Sequence, residues 1–238
     1  MPSPDTSHWA TAYECLGTLE KNKTPGSIYE LLVTSEEARC FAWNLSTLTS
    51  WTQLPDDRPL KGGKPSFPLA TQAAREGFKA PNKLSDIITA AHRHRPQILE
   101  LKEIVCAEQP AMKERDRFGM AIRGWDSRGS NWRLQVLYAV LVDVEARAGA
   151  KGVEIETVLA EWQRFLDHLV ELDVVDAPSI KRIVDGRILA KELGVKPGKW
   201  TGPALEIAMA WQLRNPDATD YSGAVEEVRK QKEELGIK

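Results

Sequence analysis

Apolar residues along much of this chain recur every three or four positions. From Ile155 onward they fall at Val158, Leu159, Trp162, Phe165, Leu166 and Leu169. That spacing places them on one face of a helix. The stretch from Trp132 to Val144 carries so few charges that it predicts a helix buried on most sides, like the central helix of a bundle. No segment shows sustained period-two alternation, so the pattern predicts an all-α fold.

Helix starts are marked by capping residues. Ser27 with Glu30 has the spacing of a capping box, and Ser35 followed by Glu36 and Glu37 is typical of a second helix start. Together with the periodicity, these signals predict helices near 8–20, 28–47, 83–95, 97–108, 132–147, 154–172, 179–193, 202–214 and 221–235.

Proline and glycine interrupt the helical pattern. The segment 55–68 contains four prolines and two glycines, which excludes a continuous helix and predicts a long surface loop. Further breaks fall at 124–130 and 173–178. The second of these suggests a domain boundary, with a multi-helix body over 1–177 and a small helical tail over 178–238.

Composition narrows the class of protein. The chain has 238 residues, of which 42% are hydrophobic and 28% charged, which is an ordinary globular balance. No run approaches the length of apolar sequence that a membrane span needs, so no membrane partner is expected. Three scattered cysteines and four histidines lack the spacing of a disulfide framework or a zinc site, which predicts an intracellular protein without a metal site of its own.

The net charge of −2 conceals an uneven distribution. Residues 1–57 carry three basic and eight acidic side chains, whereas residues 58–133 carry fifteen and eight. Residues 178–200 hold six basic side chains against two acidic ones. Local positive fields of this kind attract polyanions more than the total charge suggests.

The richest candidate site is the turn between two predicted tail helices. Gly194 is placed as a left-handed cap, Lys196 to Gly198 form a second turn, and Pro203 stands in the first turn of the next helix. Such a turn can hold a phosphate with backbone N–H groups and the flanking lysines. The alternative is a plain helical hairpin whose lysines are only solvated. The predicted tail contacts for RNA are Lys181, Arg182, Arg187, Lys191, Lys196, Gly198, Lys199 and Trp200.

A second group of basic residues lies in the predicted body. Arg75, Lys79 and Lys83 recur at fours and are expected to form one helical stripe along a phosphate backbone. Arg93 and Arg95 cluster before Pro96, at a predicted helix C-terminus, where they either bind RNA or only complement the helix dipole.

Other basic and aromatic residues complete the set of candidates. The run from Lys113 to Arg117 is interpreted as a self-paired solvated face. Trp125 and Trp200 adjoin glycine-rich turns and are expected to be exposed, whereas Trp162 and Trp211 are expected in the core. No His or carboxylate pair is identified as a general acid and base, so no catalytic residue is predicted.

A distinctive set of residues runs through the tail: Asp185-Gly186, Leu189, Leu193 to Gly198, Gly202, Leu205 and Trp211-Gln212. This set is similar to the C-terminal region of tRNA nucleotidyltransferases, the CCA-adding enzymes, especially those of fungi. The stretches 78–84 (FKAPNKL) and 118–137 resemble helical body segments of the same enzymes, and Trp43-Asn44-Leu45 is a weaker match.

The resemblance implies a division of labour. Those enzymes carry paired metal-binding aspartates in a head and a Glu-Asp-x-x-Arg helix in a neck, and neither motif stands in this sequence. The expectation is a body and tail that position the tRNA elbow and acceptor arm, inactive alone and without a cofactor of their own. A head in cis would transfer CMP and AMP from CTP and ATP with Mg²⁺. The compartment implied for such an enzyme is mitochondrial, nuclear-cytosolic or both.

A different class of function remains open. The acidic first 57 residues and the slightly negative total charge also suit a helical protein-interaction scaffold that binds no nucleic acid. The two hypotheses differ in whether tRNA binds and in how binding depends on salt.

Overall fold

A computed structural model describes residues 3–52, 54 and 66–237, and those residues form twelve α-helices without a strand. The predicted all-α class is confirmed. Most of the predicted 55–68 loop lies outside the described residues. The helices are α1 Trp9–Lys21, α2 Ile28–Leu32, α3 Glu36–Ser46, α4 Thr49–Thr52, α5 Leu69–Gly77, α6 Asn82–Cys106, α7 Arg115–Trp125, α8 Trp132–Val144, α9 Ile155–Glu171, α10 Gly186–Leu193, α11 Thr201–Arg214 and α12 Ser222–Lys230.

The chain divides into two compact units. Unit 1 comprises Met1–Pro110 and Trp125–His168, and unit 2 comprises Ala111–Gly124 and Leu169–Lys238. Unit 2 thus takes in a segment from the middle of the chain and several residues before the predicted boundary near 177. The division into a body and a tail domain at that position stays a prediction.

Helix α8 is the centre of unit 1. Every one of its residues except Arg133 is buried, including the polar Gln135 and Asp143. Helices α1, α2, α3, α4 and α6 all pack against it. The low charge of this stretch correctly predicted a helix that is buried all round.

Helix α6 continues through Pro96, where the sequence predicted a break between two helices. Proline removes one backbone hydrogen bond and costs about 3 kcal/mol in a helix interior. Beyond it, however, α6 buries Ile98, Leu101 and Ile104 in unit 1. Burying each such side chain contributes about 1.5–3 kcal/mol, which outweighs the cost of the proline.

Other helix boundaries also differ from prediction. The expected helix over 28–47 is two helices, and the Ser35 hydroxyl caps the second by accepting from the Ala38 N–H at 3.1 Å. The Ser27 side chain makes no such cap. The first tail helix begins at Gly186 and not near 179. Helices α5 and α7 were not predicted, because neither carries a long run of large apolar residues.

A charged network lies beside α8 in unit 1. The buried Lys102 ammonium lies 3.1 Å from Asp143 Oδ2 and 2.6 Å from Glu161 Oε2. The Trp162 indole N–H donates to the same Asp143 oxygen at 3.0 Å. Arg147 donates to both Glu161 oxygens, at 2.5 and 2.8 Å. The buried charge of Asp143 is therefore compensated by a cation and a hydrogen bond, as burial requires.

Unit 2 is held together by a buried arginine. The Arg115 side chain, only 15% exposed, donates to the carbonyls of Leu172, Asp173 and Leu213 at 2.5–2.8 Å. The interpretation of Lys113 to Arg117 as a solvated face is thus wrong for Arg115. It is confirmed for Arg117, which lies 2.7 Å from Glu114.

The network of unit 1 predicts a pH dependence of stability. Hydrogen bonding to Arg147, followed by the Lys102 interactions, holds the pKa of Glu161 at about 2, against an ordinary value of 4.5. A carboxyl that ionises more easily when folded stabilises the protein above pH 4.5 and loses that contribution as the pH falls through about 2. Urea titrations between these pH values should therefore show Glu161→Gln approaching wild-type stability as the pH falls. A stability difference between Glu161→Gln and wild type that stays constant over this pH range would contradict the assignment.

Candidate nucleic-acid interface

Helices α10 and α11 form a hairpin in unit 2 whose first helix is capped at both ends. The Asp185 carboxylate accepts from the backbone N–H groups of Arg187 and Ile188, both at 2.8 Å. Gly194 ends the helix with φ at 68°, and the Val195 N–H donates to the Ala190 carbonyl at 3.0 Å. The left-handed glycine cap predicted at this position is confirmed.

The second turn of the hairpin is held by three hydrogen bonds. The Trp200 indole N–H donates to the Lys196 carbonyl at 3.0 Å. The Gly198 N–H donates to the Thr201 hydroxyl, and the Thr201 N–H returns to the Gly198 carbonyl, both at 3.1 Å. These bonds fix the backbone from which Lys196 and Lys199 project.

Gly198 is not in the left-handed region, and Trp200 is less exposed than the sequence predicted. Gly198 does not have a left-handed φ, and a Cβ atom there would meet Trp200 at an ordinary 3.4 Å. A side chain at position 198 therefore requires no left-handed backbone. Trp200 is half-buried against the core of unit 2 and its N–H is already bonded. Its contact with an RNA base stays a prediction.

The segment before α10 is anchored through its backbone. Gln212 accepts from the Ile183 N–H at 3.1 Å and donates to the Lys181 carbonyl at 2.9 Å. Arg123 donates to the carbonyls of Ala177 and Ile180 at 2.5 and 2.9 Å. Burial, followed by repulsion from Arg182, lowers the pKa of Arg123. The side chains of Gln212 and Arg123 therefore hold the backbone of unit 2 in place.

The predicted tail cations separate into two kinds. Arg182 is paired with Glu206 at 2.6 Å. The other five are exposed, and within the described part of the chain none of them has an ion pair: Lys181, Arg187, Lys191, Lys196 and Lys199. Arg187 and Lys191 stand four residues apart on α10, so they are neighbours on its surface. The hairpin thus presents positive charge that no carboxylate of the described chain neutralises.

The predicted stripe of Arg75, Lys79 and Lys83 does not form. Arg75 lies in α5, Lys83 lies in α6, and Lys79 stands between the two helices with φ at 56°. A helical stripe requires one continuous helix, and α5 ends at Gly77. Lys83 is also paired with Glu37.

Arg93 and Arg95 are not at a helix end. Both lie inside α6, which continues through Pro96. Arg93 is exposed, whereas Arg95 is half-buried and has a buried Nε atom without a hydrogen-bond partner. Burial lowers the pKa of Arg95, since a charged group is less stable away from water. The prediction of a shared surface cluster is therefore wrong for Arg95.

Trp125 is buried, contrary to expectation. It is 1% exposed, and its indole N–H donates to the Gln97 side chain at 2.8 Å. A ring buried in this way has no exposed face on which an unpaired base could stack. Trp162 is buried as predicted, and Trp211 is partly buried against the core of unit 2.

Neither a metal-binding cluster nor a membrane-spanning helix is present among the described residues. In the ranges 3–52, 54 and 66–237, no group of three or more His, Cys, Asp or Glu side chains could hold a metal ion. Within the same ranges, no helix combines the length and the apolar character needed to cross a bilayer.

The chain is similar in sequence to three proteins that are named nucleotidyltransferases. It is 48% identical over 267 aligned residues to a protein named nucleotidyltransferase lcsQ from Purpureocillium lilacinum. That alignment covers 98% of this chain and 45% of the other protein. It is 27% identical over 163 residues to the mitochondrial CCA tRNA nucleotidyltransferase of Candida glabrata, covering 68% of this chain and 29% of that enzyme. With the enzyme of the same name from Saccharomyces cerevisiae it shares 34% identity over 67 residues, which cover 28% of this chain and 12% of that enzyme.

These similarities support a relationship to the nucleotidyltransferase family. The chain spans less than half the length of the curated relatives it matches. No family model matches the chain. No solved structure matches it either.

The geometry of the hairpin predicts different effects at its two glycines. Gly194→Ala forces an L-residue into the left-handed region and should lower the free energy of unfolding by about 1 kcal/mol. Gly198→Ala requires no such conformation and should change it by less than about 0.5 kcal/mol. Urea titration followed by circular dichroism measures both. A larger effect for Gly198→Ala would show that the turn conformation is misassigned.

Proposed function

We propose that this chain is the tRNA-binding part of a CCA-adding type of tRNA nucleotidyltransferase, and that the α10–α11 hairpin binds tRNA phosphates. One observation carries the proposal: five exposed cations of the hairpin region have no ion pair within the described chain. The similarity to two proteins named CCA tRNA nucleotidyltransferase supports the choice of RNA.

The energetics of these cations favour a phosphate ligand. An exposed lysine without an internal partner adds little to folding stability. When it approaches a phosphate it displaces condensed counterions, so it contributes directly to affinity for a polyanion. Lys196 and Lys199 also precede the N-terminus of α11, whose dipole adds partial positive charge. The hairpin is thus suited to a nucleic-acid backbone.

The mode of contact follows from the structure of duplex RNA. Its deep major groove hides the base edges, so a protein that accepts every tRNA reads shape and backbone. Lysines on a rigid hairpin meet this need, because caps and turn hydrogen bonds hold their backbone. The role that we assign to the chain is therefore to position the tRNA elbow and acceptor arm.

The chemical step is assigned to a different part of the enzyme. A head domain in cis would supply the Mg²⁺ site and would transfer CMP and AMP from CTP and ATP. This chain would contribute affinity and orientation to that reaction, in mitochondria, in the nucleus and cytosol, or in both. A helical protein-interaction scaffold is the competing proposal, and it predicts no tRNA binding.

The test is tRNA binding by the chain at two salt concentrations. Lys196→Ala combined with Lys199→Ala should weaken binding about tenfold, because the variant can no longer neutralise one or two of the phosphates. The slope of log K against log salt should also fall by about 0.7–0.9 for each phosphate that is no longer neutralised. Thermal unfolding should be nearly unchanged, since both side chains are exposed.

The control removes the same charge from another surface of unit 2. Lys113→Ala combined with Arg117→Ala should change tRNA affinity much less, because Arg117 is already paired with Glu114. If the control weakens binding and the hairpin variant does not, the RNA does not contact the hairpin. If wild type fails to bind tRNA at low salt, the scaffold hypothesis replaces the proposal.

A further inference from the structure

Two large aromatic side chains are exposed at the two ends of α5 in unit 1. Phe67 precedes the helix and is 48% exposed, and Phe78 follows it and is 42% exposed. Burying a phenylalanine is worth about 1.5–3 kcal/mol, so an exposed pair beside one helix gives up stability.

A cation contacts the Phe67 ring, and two cations stand near Phe78 in the sequence. The Arg75 guanidinium lies 4.8 Å from the centroid of the Phe67 ring, which is a cation–π contact. Arg75 is in the last turn of α5, three residues before Phe78, and Lys79 follows Phe78 directly. Arg75 and Lys79 are exposed, and neither has an ion pair within the described chain. Arg75 and Lys79 therefore flank Phe78 at the C-terminal end of α5.

Lys79 occupies a backbone position that glycine normally fills. Its φ of 56° is left-handed, and the Ala80 N–H donates to the Ala74 carbonyl at 3.1 Å across the helix end. Glycine is preferred at such a helix end because a side chain there is strained. A lysine at this place thus costs stability, as does the exposure of Phe78 next to it.

The exposed aromatic residues near the N-terminus have different surroundings. Trp9 and Tyr13 stack on each other, with centroids 5.5 Å apart. They lie within the first 57 residues, which carry three basic against eight acidic side chains. This segment of the sequence has a net negative charge, which disfavours a nucleic acid, whereas the end of α5 carries Arg75 and Lys79.

We propose that Phe78, with Arg75 and Lys79, forms a binding site for single-stranded RNA in unit 1. An unpaired base would stack on the Phe78 ring, and the adjoining phosphates would be neutralised by the two cations. Proteins that bind single strands combine aromatic stacking with a positive groove in this manner. The inference rests on the proposed RNA-binding function, and it adds an unpaired segment as a ligand and a site separate from the hairpin.

The test compares two RNA probes by fluorescence anisotropy, a single strand of about twelve uridines and a hairpin duplex of similar charge. Stacking on an aromatic ring is strong enough that Phe78→Ala should weaken single-strand binding at least about fivefold. The same variant should leave duplex binding unchanged, because paired bases are not available to stack. Phe78→Trp should retain single-strand binding, since it keeps an aromatic face.

Lys79→Gly separates binding from stability. Glycine relieves the left-handed strain and should raise or maintain the unfolding temperature, whereas removal of the cation should weaken single-strand binding about two- to threefold. Arg128→Gly is the matched control, because Arg128 is also an exposed cation of unit 1 in the left-handed region, with φ at 61°. That variant should leave single-strand binding unchanged.

Three results would overturn this inference. The first is single-strand binding by Phe78→Ala that equals wild type, and the second is an equal weakening of single-strand and duplex binding. The third is wild-type binding of neither probe, which would assign this surface to a protein partner. Measuring Lys196→Ala with Lys199→Ala on tRNA in parallel keeps the two proposals apart, since tRNA binding can depend on the hairpin while the Phe78 variants show no effect.

Discussion

The burial of almost every residue of α8 is the constraint on which unit 1 depends. A helix surrounded by other helices cannot leave a charge uncompensated, and removing one partner of a buried ion pair costs about 3–5 kcal/mol. Asp143 on α8 is buried, so the unit must bring a cation and a donor to it. Lys102 and Trp162 do so from α6 and α9. The packing of three helices is thereby tied to one carboxylate.

This constraint also accounts for the unbroken α6. Lys102 lies six residues after Pro96, so a helix that ended at the proline would not carry this cation along α8. Continuing the helix both buries Ile98 and Leu101 and delivers the ammonium to Asp143. From the neighbouring sequence alone, only the cost of the proline can be inferred. The gains come from residues that are distant in the sequence, and for that reason the break was predicted where none exists.

Whether interacting residues are near or distant in the sequence also determines how much of the site was predictable. Caps such as Ser35 and Gly194 act within a few residues, so sequence spacing identified them correctly. The burial of Trp125 depends on Gln97, which is 28 positions away. Arg115 likewise resembles a surface charge until the carbonyls of Leu172 and Leu213 are placed around it. The sequence alone therefore does not distinguish basic residues that bind backbone carbonyls from basic residues that stay exposed and unpaired.

In unit 2, that division falls largely between arginine and lysine. Arg115 and Arg123 bind two or three backbone carbonyls each, which the planar guanidinium suits because it offers several donors in a fixed geometry. Lys181, Lys191, Lys196 and Lys199 instead project into solvent. An arginine whose donors are bonded to backbone carbonyls must keep those bonds, so it cannot also neutralise a phosphate. A lysine on a capped hairpin is held at its backbone and has all its ammonium donors available. The rigidity that the arginines give to unit 2 is therefore what allows the lysines to present a fixed pattern of charge.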